Sequence, residues 1–118
     1  MVLNRVVLIG RLTRNPEHLA TVTGVSVAKF TLALDSRSKD EDGNRKTLFI
    51  PCVCFKETAD NVCNALKRGS LITIDGYISQ RKYTKDDEER TITEIVCESI
   101  CFLNKKEKEE KVLEKKED

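Results

Sequence analysis

Two stretches of this chain set aromatic rings beside cations at the two-residue period of a β-strand. In Thr47–Phe55, Phe49 and Phe55 fall on one side, about 20 Å apart if the segment is extended. In Leu71–Tyr83, Tyr77, Ser79, Arg81 and Tyr83 share a side, with Lys82 and Lys85 beside them. Arg37, Arg45, Lys46, Lys56 and Arg90 sit at the ends of extended segments or in the loops between them. Flat rings stack on unpaired nucleobases, at about 1–3 kcal/mol per base, and cations meet phosphates. The competing reading makes Phe49 and Phe55 core residues, because Thr47–Phe55 is apolar on both sides; pattern alone leaves the two level. Tyr83, flanked by lysines at a strand end, is expected outside. Phe30 and Phe102 read as core.

Other chemistries find less support. The cysteines number five (Cys52, Cys54, Cys63, Cys97 and Cys101), and an odd count without a secretion signal argues against a disulfide framework. Cys52-x-Cys54 and Cys97-x3-Cys101 are not structural-zinc spacings, so the thiols read as reduced, buried and apolar. His18, the single histidine, follows a proline turn with no Cys or Asp close by in sequence and reads as a surface residue. There is no P-loop, dinucleotide glycine fingerprint, nucleophile elbow or HExxH helix. No catalytic residue, cofactor or metal is expected.

The elements that would carry the aromatic stripes can be read from periodicity. Leu3–Leu12 alternates, with Asn4, Val6, Leu8, Gly10 and Leu12 on one face and Leu3, Arg5, Val7, Ile9 and Arg11 on the other; both faces carry apolar groups, as in a strand whose outer side is also covered. Asn15-Pro16 signals a turn. Strands follow at Val25–Asp35 and Thr47–Phe55, separated by a polar loop with Gly43 at its tip. Pro51 lacks an N–H and predicts an edge or a bulge. Glu57–Arg68 changes to helical period through Ala59, Val62, Cys63 and Leu66, with Thr58 as expected N-cap, Lys67 and Arg68 in the last turn, and Gly69 as the left-handed exit. Leu71–Tyr83 returns to period two, with Ile72, Ile74 and Ile78 on one face. Thr84–Arg90 reads as a charged loop, and Thr91–Leu103 as a last strand with Ile92, Val96, Ile100 and Phe102 facing one way. Three strands, a helix and two strands predict an all-β OB-fold, a five-stranded barrel with its helix between strands three and four.

The 118 residues fit one domain. Residues 1–103 form the expected barrel and 104–118 a charged, solvated, disordered tail. The net charge is +1, so any nucleic-acid site must be a local stripe on a nearly neutral body. No apolar run approaches the ~20 residues of a membrane span, and no basic-then-apolar leader opens the chain, so the expected location is cytoplasmic and nucleoid-associated, away from membranes.

The segments NRVVLIGRLTRNPE (Asn4–Glu17), VAKFTLAL (Val27–Leu34), NVCNALKRGSLITIDGYI (Asn61–Ile78) and TEIVCESICFL (Thr93–Leu103) resemble bacterial single-stranded DNA-binding proteins across the whole body of the chain. The resemblance implies an OB-fold, a homotetramer, and sequence-independent binding of single-stranded DNA in replication, recombination and repair, without catalysis. It places stacking aromatics at Phe49, Phe55 and Tyr83, which favours function over core for the two phenylalanines. It also implies a basic path, for which Arg5, Arg11, Lys56, Arg81 and Lys82 are the best placed, and a first strand that helps pair subunits. Three departures stand out. A further aromatic often found after the second strand is absent, Arg37 and Ser38 standing there, so fewer bases stack or Arg37 lies flat on one. The chain has no Trp. It ends in KKED rather than in an acidic tip closing on Pro-Phe, so recruitment of replication and repair proteins does not carry over: either the sequence stops short of such a tip or this version lacks it. The alternatives are a primosomal accessory OB protein of the PriB type, dimeric and acting through protein contacts, and a protein-interaction OB module with Phe49, Phe55 and Tyr83 buried or dispensable.

Overall fold

The structure is a computed structural model that describes residues 2–103; the expected tail lies outside the described residues. The elements are β1 (Val6–Leu12), β2 (Glu17–Ala20), β3 (Ser26–Lys39), β4 (Arg45–Phe55), α1 (Lys56–Ala65), β5 (Leu71–Lys85) and β6 (Glu88–Leu103). The strands run β1-β5-β6-β4-β3 across the sheet, and β3 returns to β1 through Arg11↔Ala33 and Leu12↔Leu32, which closes a five-stranded barrel. The β4–β6 pairing is parallel and short, Cys52↔Ile95 and Val53↔Val96; the other pairings are antiparallel. With α1 between the third and fourth barrel strands, this is the OB-fold.

β2 was not visible in the sequence. It is a four-residue strand with every residue exposed, so it carries no apolar alternation, and it pairs on the outside with the start of β3. Pro51 sits where β4 has only β3 beside it, one residue before β4 meets β6. That is the edge position a missing N–H predicts.

The interior is filled from alternate positions: Leu12 of β1, Ala28, Phe30 and Leu32 of β3, Cys52 and Cys54 of β4, Ile72 and Ile74 of β5, Ile95 and Cys97 of β6. α1 caps the barrel with Ala59 and Val62, and Leu66 just beyond it completes the stripe. Burying a side chain such as Val62 or Leu66 contributes about 1.5–3 kcal/mol. Burial of the thiols holds for Cys52, Cys54 and Cys97, whereas Cys63 is half-buried and Cys101 exposed. Burial pushes the Cys54 thiol up to about 12, so it stays protonated and inert. Among the described residues no helix is long and apolar enough to cross a membrane.

Several local expectations need correction. The helix begins at Lys56 with Phe55 as its N-cap and without a side-chain cap bond, so Thr58 lies inside the first turn. The chain enters α1 through Lys56 at φ +59, a left-handed conformation rare outside glycine. The helix stops at Ala65, and Lys67 and Arg68 lie past it. They belong to a separate turn that Gly69 closes at φ +87, pinned where Gly69 N–H donates to the Leu12 carbonyl at 2.9 Å and Arg68 N–H to Asn15 Oδ1 at 2.8 Å. The loop expected over Thr84–Arg90 is a two-residue turn: β5 and β6 stay paired to Lys85↔Glu88, and Asp86 and Asp87 turn the chain at φ +53 and +64, the signs a tight hairpin turn requires.

The face assigned to the last strand changes for one reason. Asp75 pairs with Ser99 but Gly76 with Cys97, so Glu98 bulges out of the ladder. Ile100 and Phe102 therefore face inward with Ile74 and Ile72, whereas Ile92 and Val96 face outward with Arg81 and Tyr77. Phe102, expected in the core, lies at the barrel end and is exposed; Ile78 is exposed at the other end of its strand. At Gly76 a Cβ would run into the carbonyl oxygen of Val96, so the two strands approach there as only glycine allows.

Candidate nucleic-acid interface

The outward residues of four neighbouring strands form one continuous face. Register aligns Lys29 of β3, Val53 of β4, Val96 of β6 and Tyr77 of β5 in a row across the barrel, about 15 Å wide at ~4.8 Å per strand. Val53 is buried and Val96 half-buried, so they make a floor. Around it stand the rings: Phe49 and Phe55, four residues before and two after Val53, and Tyr77 and Tyr83 on β5. Their exposures are 63% for Phe49, 42% for Phe55, 37% for Tyr77 and 38% for Tyr83. A core role for the two phenylalanines is thereby excluded; the inward side of β4 is taken by Ile50, Cys52 and Cys54.

The predicted cations divide into three groups. Arg37, Lys56 and Lys85 are exposed beside the face, as are Arg45 and Lys46; none is in an ion pair among the described residues. Arg81 and Lys82 lie on β5 but are engaged: Arg81 Nε donates to Glu94 Oε1 at 3.0 Å, and Lys82 Nζ is 3.5 Å from Glu89 Oε1. Arg90 likewise meets Glu88 at 3.3 Å.

Arg11 is not brought to the rings, and Arg5, which register sets beside Tyr77, is engaged with Asp75. Arg5 makes a two-pronged bond to Asp75, with Nε at 3.1 Å from Oδ1 and a guanidinium N–H on Oδ2. This hydrogen bond holds the Asp75 carboxyl below its usual range and raises Arg5. Next to it, Asn4 pairs with the backbone of Ile78 by donating to its carbonyl at 2.8 Å and accepting from its N–H at 2.9 Å, which ties the N-terminal segment to β5. Arg11 donates to the Gly69 carbonyl at 3.0 Å, opposite Leu71 and six residues along β5 from Tyr77, some 20 Å away.

Three features were missed in the sequence. Lys29 is on the face and outside any ion pair among the described residues; its signal was its outward parity between Ala28 and Phe30. Glu94, a buried carboxylate on the outward side, had no sequence signal. His18 is not isolated: its Nε2 lies 2.7 Å from Ser26 Oγ, which donates to Asp60 Oδ1 at 2.6 Å, so β2, β3 and α1 are tied together by residues far apart in sequence.

Away from the rings, the outer side of β1 exposes Val7 and Ile9, with Thr73 and Cys101 continuing the Ile9 row across β5 and β6.

Comparison with known proteins gives the same direction. A family model described as the single-strand binding protein family matches residues 3–103. The chain is 49% identical over 105 residues to Single-stranded DNA-binding protein 1 of Staphylococcus aureus (strain COL), covering 88% of this chain and 63% of that protein. It is 47% identical over 106 residues to Single-stranded DNA-binding protein 3 of Listeria innocua, covering 89% and 66%. With the Single-stranded DNA-binding protein of Halalkalibacterium halodurans it shares 48% over 102 residues, covering 86% and 61%. The chain thus spans less than two thirds of the length of these relatives. The match runs through every barrel strand, through α1 and through the face that carries the rings, and on that ground the chain belongs to the single-strand binding protein family.

Proposed function

We propose that this chain binds single-stranded DNA without sequence preference, protects it during replication, recombination and repair, and catalyses nothing. The observation that carries the reading is the open aromatic face: Phe49, Phe55, Tyr77 and Tyr83 exposed around the Val53–Val96 floor. Bases would stack on these rings while Lys29, Arg37, Arg45, Lys46, Lys56, Lys82 and Lys85 meet the backbone. Duplex is rejected because its bases offer no free faces. The binding unit is the barrel, residues 1–103. Arg5, beside Tyr77 in register but paired with Asp75, and Arg11, bonded to the Gly69 carbonyl, are further candidates at its margin.

The chain would work as a homotetramer in the cytoplasm, on the nucleoid. A second copy would cover Val7 and Ile9. The reading as a PriB-type accessory protein is not favoured, since the matched relatives are named for single-stranded DNA. A pure protein-interaction module predicts Phe49, Phe55 and Tyr83 buried or dispensable, and they are exposed. The test is anisotropy of a labelled oligo-dT titrated with the protein at two salt concentrations, with duplex as competitor. Tight binding that weakens with salt and ignores duplex supports the reading. A folded protein that leaves oligo-dT free at low salt overturns it.

A further inference from the structure

Glu94 is the buried charged residue of the described chain, 7% exposed. It stands on the outward face, opposite Ser79, within the surface where an anionic strand is proposed to lie. A carboxylate there has the wrong sign for phosphate, and its burial is costly unless it is paired. Its partner is Arg81, through the 3.0 Å bond from Nε to Oε1. Arg81 itself stands opposite Ile92, one row nearer the hairpin tip, so the bond runs diagonally and draws the guanidinium back along β5 toward the Ser79 row. Tyr77 and Tyr83 bracket this position on the same side of the strand.

The neighbouring pairs differ in kind. Lys82–Glu89 and Arg90–Glu88 are open to water on both partners, and such pairs are screened and easily exchanged. In Arg81–Glu94 the carboxylate has left solvent. A phosphate that took Arg81 away would leave a buried charge alone, so exchange there is disfavoured. A guanidinium held by its edge still offers its flat face, on which a base can stack.

We propose that Glu94 is a positioning residue: it neutralises Arg81 and lays its guanidinium on the sheet between Tyr77 and Tyr83, so that Arg81 adds a stacking surface and no phosphate charge. The inference rests on the single-stranded DNA reading and gives that face a division of labour.

The test is the salt dependence of oligo-dT binding, in which each cation that neutralises a phosphate of a single strand adds about 0.7 to the slope of log K against log salt. Arg81→Gln with Glu94→Gln removes a neutral pair and is expected to weaken binding about threefold through the lost plane, at an unchanged slope. Glu94→Gln alone frees the Arg81 charge and is expected to steepen the slope by about 0.7. A double variant whose slope flattens by about 0.7, or a folded Glu94→Gln protein whose slope does not move, overturns the proposal. Should Glu94→Gln fail to fold, the double variant, in which both partners become neutral, decides alone. Lys56→Ala separates the two levels of the argument: it should flatten the slope by about 0.7. If Lys56→Ala and Tyr83→Ala both leave oligo-dT binding intact, the proposed face itself is wrong, and the role of Arg81 falls with it.

Discussion

Two long hairpins leave the same barrel and treat their charges in opposite ways. The β3–β4 hairpin turns at Asp40–Asn44, where the Asp40 side chain accepts from the N–H groups of Asp42 and Asn44. Its cations Arg37, Lys39, Arg45 and Lys46 are in no ion pair among the described residues; Arg45 only donates to the Ser36 carbonyl. The β5–β6 hairpin turns on Asp86 and Asp87, and its Arg81, Lys82 and Arg90 each have a glutamate. The first arm also breaks register between Asp35 and Lys39, whereas the second pairs without interruption from Gly76 to the turn. Free cations on the irregular arm can meet phosphate without giving anything up. On the regular arm Arg81 would have to leave a buried carboxylate, so that arm is better suited to presenting Tyr77 and Tyr83. Charge thus weighs toward the first arm, which also carries Phe49, while the second presents Tyr77 and Tyr83 and leaves Lys85 outside any ion pair among the described residues.

The sharpest way to break this division is to remove rings. Phe49→Ala and Tyr83→Ala should each cost about 1–3 kcal/mol of oligo-dT affinity at unchanged salt slope; a change of slope in place of affinity would contradict the assignment. Next comes charge removal. Arg37→Gln, Arg45→Gln and Lys46→Gln together should flatten the slope by about 2. Arg81→Gln with Glu94→Gln should leave the slope where it is, and equal effects per charge in the two arms would erase the contrast. A smaller effect concerns the turn. Asp86→Asn with Asp87→Gly places the residues that tolerate positive φ and should raise the melting temperature by about 2–6 °C, which differential scanning calorimetry would read; no rise would mean the turn is unstrained. The smallest lies outside both arms. Asp75 is held below its unfolded value by Arg5, so its stabilising contribution is present above the ordinary aspartate range and is lost as pH falls through the lowered value. Hydrogen exchange at Ile78, bonded to the neighbouring Asn4, should accelerate only below that range, and acceleration near neutrality would count against the anchor.

Much of this was legible in the sequence, and what was not has a physical explanation. The barrel and its stripes could be read because Phe49, Phe55, Tyr77 and Tyr83 obey the period-two rule on strands whose opposite faces are apolar. β2 could not, since four exposed residues paired on the outside have no reason to alternate. Ile92 and Val96 were put on the face of Ile100 and Phe102 because the alternation was carried through Glu98, and Phe102, though inward, is exposed because it lies at the barrel end. The helix caps went astray because Phe55 does double duty as the last strand residue and the N-cap. Pairings such as Arg81–Glu94 and His18–Ser26–Asp60 depend on register between strands, which a single sequence does not display. For Arg5 and Arg11 the resemblance suggested phosphate contacts, and only the structure displays their partners, Asp75 and the Gly69 carbonyl.

The bulge at Glu98 falls where β1 ceases to flank β5, its last pair being Val6↔Gly76. Up to that point three strands brace one another; beyond it β5 and β6 run on to the turn with β4 touching only near their base. Nine residues separate Gly76 from Lys85, a lever of about 30 Å. A change of about 10° in the bend at the bulge would therefore sweep the tip through about 5 Å, carrying Tyr83 toward or away from Phe49. Any such bend would have its pivot at the root, at the one residue of β6 that has no partner across the ladder.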